Sequence, residues 1–126
     1  MRNLFCLIAF CLLHLLVSAQ EGFQWSPDGK GYFQLEKNEL AYYQLPGQGR
    51  KLAVPSASLV PADAGQPISI TSYQFSTDRE KLLLFTNTKK VWRYETRGDY
   101  FLLDTQSGSL KKLGQSLPPS SLMFAK

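Results

Sequence analysis

Residues 20–126 contain no cysteine and no histidine: Cys6, Cys11 and His14 all lie within the first 17 positions of the 126-residue chain. A Ser-His-Asp or Cys-His nucleophile needs an imidazole, and a zinc site needs His or Cys ligands. Neither can be assembled from Gln20 to Lys126. Disulfides are excluded there too, so the covalent stapling common in small secreted domains does not apply and the core alone must hold the fold. Long hydrophobic runs are also scarce. The single one, Leu4 to Val17, is 14 residues long and interrupted only by His14, too short for a membrane span of about 20 residues.

That run follows Met1-Arg2 and ends at Val17-Ser18-Ala19, the charged start, apolar centre and small-residue exit of a secretory signal peptide. Residues 1–19 are therefore expected to be removed, leaving a mature chain that begins at Gln20 and is periplasmic or extracellular. Neither cysteine follows the small residues of a lipoprotein signal, so no lipid anchor is expected.

Charge of one sign is also modest. Residues 20–126 carry 13 Lys and Arg against 10 Asp and Glu, and a nucleic-acid-binding domain of this size is usually more basic. No nucleic-acid partner is expected. What the chain has in quantity is aromatic residues, 13%, and turn formers, with 9 Gly and 7 Pro. Short strands and tight turns follow from that composition.

From Gly22 onward, short apolar runs alternate with turn signals every 8 to 12 residues or so, the all-β pattern. Gly22 to Trp25, Gly31 to Leu35, Leu40 to Leu45 and Arg50 to Val54 read as strands. Ser26-Pro27-Asp28-Gly29, Lys37-Asn38 and Pro46-Gly47-Gln48-Gly49 are the turns between them. No stretch of the mature chain has a helical period, and no helix is expected.

The pattern then repeats. Phe23-Gln24-Trp25-Ser26-Pro27-Asp28 aligns with Tyr73-Gln74-Phe75-Ser76-Thr77-Asp78, and Lys51-Leu52 with Lys112-Leu113. The second copy is longer by about ten residues around Asn87 to Gly98. A repeat of four short strands with an aromatic-Ser-x-Asp turn after the first reads as one β-propeller blade. The expected organisation is all-β: blade 1 over about 22–54, a linker over 55–67, blade 2 over about 68–113, and the start of a third blade over about 121–126. The linker is rich in Pro, Ala and Ser and reads as a solvated loop. Two blades cannot close a ring of at least four, so the sequence reads as the front of a longer protein.

The densest candidate site is Lys89 to Arg97, with four basic residues and two aromatics, Trp92 and Tyr94, in nine positions of the second copy's extra segment. Residues added between blade strands project from the face of the ring, where ligands bind. The structural alternative packs Trp92 and Tyr94 between blades with the charges solvated. Asp28 and Asp78 are expected to cap turns, and Glu36 and Glu39 to be solvated at a hairpin reversal. Neither Ser107-Gly108-Ser109 nor Gly114 to Pro118 forms a nucleophile elbow. No catalytic residue, cofactor or metal site is expected.

Together, Phe23 to Gly29, its copy Tyr73 to Asp78, and above all Lys81 to Phe85, Val91-Trp92-Arg93-Tyr94 and Gly98 to Asp104 resemble the N-terminal propeller of dipeptidyl peptidase IV-like serine peptidases. The resemblance implies a propeller of roughly eight blades over an α/β-hydrolase domain that carries the Ser, Asp and His. It implies release of Xaa-Pro-type dipeptides by the full-length enzyme, with Arg93 binding the carbonyl of the substrate's second residue and Trp92 and Tyr94 shaping the loop. Nothing here matches the acidic pair that holds the substrate's amine in that family. The fragment itself is expected to be non-catalytic. The partners implied are a peptide substrate, the hydrolase domain absent from this sequence, and a second copy in a homodimer of the full-length protein. A stand-alone propeller-type binding protein is the alternative reading.

Overall fold

The structure, a computed structural model, describes residues 22–47 and 49–123, without the side chains of Glu95 and Thr96. The expected signal segment lies outside the described residues. Two antiparallel meanders follow one another along the chain. The first comprises β1 (Phe23–Trp25), β2 (Gly31–Glu36), β3 (Glu39–Gln44) and β4 (Gly49–Val54). The second comprises β5 (Ile70–Phe75), β6 (Lys81–Val91), β7 (Tyr94–Asp104) and β8 (Leu110–Lys112), and a short β9 (Leu122–Met123) pairs with β7 beyond β8.

The internal repeat is visible as one turn built twice. After β1, Ser26 N–H donates to Gly31 O at 2.9 Å, Gly29 N–H to Ser26 O at 3.0 Å, and Lys30 N–H to the Asp28 carboxylate at 3.0 Å. After β5, Ser76 N–H donates to Lys81 O at 2.9 Å, Arg79 N–H to Ser76 O at 3.0 Å, and Glu80 N–H to the Asp78 carboxylate at 3.0 Å. Each aspartate thus caps its turn as the sequence implies. The donated hydrogen bonds hold both carboxyls below their usual range, led by Lys30 N–H at Asp28 and by the Ser76 hydroxyl at Asp78. The fourth turn position is left-handed in both copies, at Gly29 (φ 67°) and at Arg79 (φ 62°).

The β2–β3 reversal is the two-residue Lys37-Asn38 turn, with both residues left-handed, the form that follows the twist of a hairpin. Its Asn38 side chain then does a second job. It donates to Ile68 O and accepts from Ile70 N–H, both at 2.8 Å, and so fixes where the second sheet begins.

One core joins the sheets. Leu40 and Val54 of the first meet Ile70, Leu82, Leu84, Phe101 and Leu103 of the second, with Phe33, Leu35, Tyr73 and Phe75 packed around them. Each fully buried leucine contributes roughly 1.5–3 kcal/mol. Tyr73 Oη reaches across to Gly22 O and Phe33 O, at 3.0 and 3.1 Å. Burial pushes the Tyr73 hydroxyl's pKa up to about 12.

The connection between the sheets departs from the expectation of a solvated loop without helix. Ser56–Leu59 forms a 3-10 turn, and Leu59 is 0% exposed, part of the shared core. Ile68 N–H donates to Leu59 O at 2.9 Å. The segment buries Leu59 and Pro61 without any apolar period, and so carries no pattern that sequence reading can detect.

Candidate functional site

The second sheet differs from the first in one hairpin. β2 and β3 are six residues each, whereas β6 and β7 are eleven. The β5 partner ends its pairing at Ile70↔Thr86, and Thr86 pairs on its other side with Asp99. Residues 87–98 therefore extend past β5 as a hairpin arm, joined by β9 only at its base, in the segment where the second sequence copy is longer than the first.

The arm contains two irregularities. Thr86↔Asp99 is followed by Lys89↔Arg97, so β6 carries one extra residue. Lys89↔Arg97 is followed by Lys90↔Glu95, so β7 carries one extra in turn. These are β-bulges on opposite strands, which bend and twist a ribbon and re-aim its side chains. Val91↔Tyr94 is the last pair, closed by Trp92 and Arg93.

At the tip, Trp92 is 95% and Tyr94 73% exposed, with Arg93 also exposed. Neither aromatic packs between the two blades of this chain. Trp92 has φ 70°, a conformation that costs a non-glycine residue about 1–2 kcal/mol. Trp92 and Arg93 line a shallow, open depression. Among the described side chains no carboxylate forms a salt bridge with Arg93, which carries a planar fork of five N–H donors.

The base of the arm is built around Asp99, which is 6% exposed. Asn87 Nδ2 donates to its Oδ2 at 2.8 Å, Ser120 N–H to its Oδ1 at 2.9 Å, and Lys112 Nζ lies 3.7 Å from Oδ2. Ser120 Oγ donates to Asn87 O at 2.6 Å. Next to Asp99, Gly98 lies so close to β6 that a Cβ there would fall 2.7 Å from Thr86 O and 2.6 Å from the Phe85 ring. β9 pairs with Arg97 and Gly98, and Tyr100 Oη donates to Met123 O at 3.1 Å.

The remaining candidates have structural roles. Glu36 and Glu39 face each other across β2 and β3 and are engaged rather than merely solvated. Glu36 accepts from Tyr43 Oη at 2.6 Å, and Arg50 lies 3.5 Å from Glu36 and 3.8 Å from Glu39. Asp104, the last residue of the Trp-Arg to Asp pattern, pairs with Lys81 and accepts from Gln106 and Ser107 N–H, so Ser107 to Ser109 is a capped turn. Among the described residues no group of three His, Cys, Asp or Glu is placed to hold a metal. Asp99, Asn87, Ser120 and Arg79 were not singled out by sequence. The one available signal was a carboxylate, Asp99, at the head of the apolar run Tyr100 to Leu103.

Residues 76–126 match the family described as the dipeptidyl peptidase IV (DPP IV) N-terminal region. Dipeptidyl aminopeptidase B of Saccharomyces cerevisiae is 36% identical over 53 residues, which is 42% of this chain and 6% of that protein. The crystal structure of Porphyromonas gingivalis dipeptidyl peptidase 4 superposes with a TM-score of 0.68 at 19% identity, covering 85% of this chain and 15% of that one. At that identity the superposition shows the fold: two successive four-stranded blades of a β-propeller.

Proposed function

Because the chain carries a dipeptidyl peptidase IV-like N-terminal region, we propose that it is the entrance part of the propeller of an exported serine exopeptidase that releases Xaa-Pro-type dipeptides. The nucleophile, base and acid of that reaction belong to an α/β-hydrolase domain, since residues 20–126 hold no histidine at all. In this reading the propeller gates and orients the peptide. The fragment alone does not hydrolyse it.

One observation carries the reading for this part of the molecule: an exposed arginine at the tip of an arm that extends past the pairing with β5. A guanidinium stays charged at every working pH and offers a planar fork of donors. Those donors suit a peptide carbonyl, and a substrate held there is positioned for attack elsewhere. Trp92 and Tyr94 flank Arg93 and give the arm an apolar surface for substrate side chains.

The test is made in the longer peptidase. A hydrogen bond from a charged donor contributes about 1.5–3 kcal/mol, so Arg93→Ala should lower kcat/KM on an Xaa-Pro reporter by roughly ten- to a hundredfold with folding unchanged. Arg93→Lys should be nearly as impaired because the fork is lost. Full activity in a normally folded Arg93→Ala would end this reading. Export is tested separately, by N-terminal sequencing of secreted material, with Gln20 the expected first residue.

A further inference from the structure

We infer that Asp99 aims the arm: its buried carboxylate fixes the bulge at Asn87 from which residues 87–98 depart, and this makes Asp99 a positioning residue for Arg93. The second half of that statement rests on Arg93 being a substrate contact. The first half does not.

Asp99 and Thr86 are the two buried polar residues among the described residues, and they are cross-strand partners at the point where the arm begins. Both Asp99 oxygens accept a hydrogen bond, from Asn87 on β6 and from Ser120 N–H in the segment leading to β9, and Lys112 at the end of β8 adds an ion pair. Asn87 and Ser120 are both left-handed, at φ 49° and 57°, and the Ser120 hydroxyl closes the circuit on Asn87 O. Residues in that conformation persist when their surroundings over-determine it. Here the determinant is one carboxylate. Removing it would leave an amide and a backbone N–H without their acceptor and an ammonium without its counter-ion, and Asn87 would be free to return to extended backbone.

Leverage turns this local circuit into a functional one. The tip lies five residues beyond Thr86 on β6, roughly 17 Å at strand rise, so a swing of ~10° at the base moves Arg93 by about 3 Å. A displacement of about 1 Å is already enough to cost a positioning group much of its effect. Loss of the bulge is a larger change still, because a one-residue slip turns every side chain of a strand to the other face.

Hydrogen exchange of the full chain tests the aiming role without any activity. In Asp99→Ala, amides of residues 88–97 are expected to exchange at least tenfold faster, while those of β5 change much less. Asn87→Gly is the second variant. Glycine keeps the left-handed backbone and leaves no buried charge unpaired, yet loses the amide donor, so it should loosen the arm in the same direction and remain folded. Unchanged protection of the arm in both variants would overturn the inference. In the longer peptidase, Asp99→Ala should lower kcat/KM at least tenfold, and the Arg93→Ala, Asp99→Ala double variant should be no worse than Arg93→Ala. Multiplying losses would instead mark Asp99 as acting by general destabilisation. If Arg93→Ala is fully active while the arm still loosens in Asp99→Ala, the substrate-contact reading fails and the aiming role stands.

Discussion

The Arg79 guanidinium lies over the Phe33 ring, 5.1 Å from its centre, and at the same time 4.9 Å from the centre of Phe75. Phe33 belongs to the first sheet and Phe75 to the second, and their own centroids are 4.8 Å apart. The arginine thus clamps the two blades from the turn position that Gly29 holds in the first copy.

That position predicts an inverted order of substitution. Arg79→Ala removes the cation–π contact, worth roughly 0.5–2 kcal/mol, and keeps a Cβ in the left-handed conformation. Arg79→Gly removes the same contact but relieves the strain, a gain of about 1 kcal/mol over alanine. Urea denaturation should therefore rank parent, then Arg79→Gly, then Arg79→Ala.

Tyr73→Phe removes the hydroxyl that serves Gly22 O and Phe33 O across the blade interface. The expected loss is about 1 kcal/mol, read as a lower melting temperature. The sign of the pH effect follows from the raised pKa of about 12. The contribution of Tyr73 is complete below the unfolded value of roughly 10 and is lost as pH climbs toward about 12. The parent should lose stability over that alkaline window more than Tyr73→Phe does.

Acid acts in the opposite sense. Asp104, bonded first by Lys81 and then by Ser107 N–H, is held well below the usual carboxylate range, and Asp28 and Asp78 are lowered as well. A lowered folded value stabilises above the unfolded pKa of roughly 3.9 and is lost as pH falls below it. The melting temperature should stay flat from neutral to about pH 5 and then drop. Asp104→Asn should show a shallower drop.

Gly98→Ala forces a Cβ against the Thr86 carbonyl, a backbone atom that cannot swing aside. A loss of about 1–3 kcal/mol is expected from such overpacking. Gly49→Ala, where the same added carbon meets open space, is the matched control and should stay within about 0.5 kcal/mol of the parent.

Much of this molecule is written locally and can be read that way. The aromatic-Ser-x-Asp turns, the Lys37-Asn38 reversal and the strands of the first sheet depend on neighbours within a few residues, and the duplicated hexapeptides at Phe23 and Tyr73 expose the repeat. The extra length of the second hairpin is visible as an offset between copies. Leu59 is not legible, because one buried leucine among prolines and alanines makes no period. Asp99 is hidden for a different reason. Its donors stand 12 and 21 residues away along the chain and become neighbours only after β6, β7 and the segment leading to β9 have come together. Trp92 and Tyr94 show the converse, since hydrophobicity argues for burial and only the register of the arm places them in solvent.

The two bulges of the arm cancel one another: β6 gains a residue, β7 gains a residue, and Val91↔Tyr94 closes in the same frame as Thr86↔Asp99. Length in this arm is therefore constrained by parity. Deleting one residue from a single strand reverses which face the tip presents, whereas deleting one from each preserves it. An unmatched change there would turn Trp92, Arg93 and Tyr94 to the opposite face while leaving the pairing of β5 with β6 untouched.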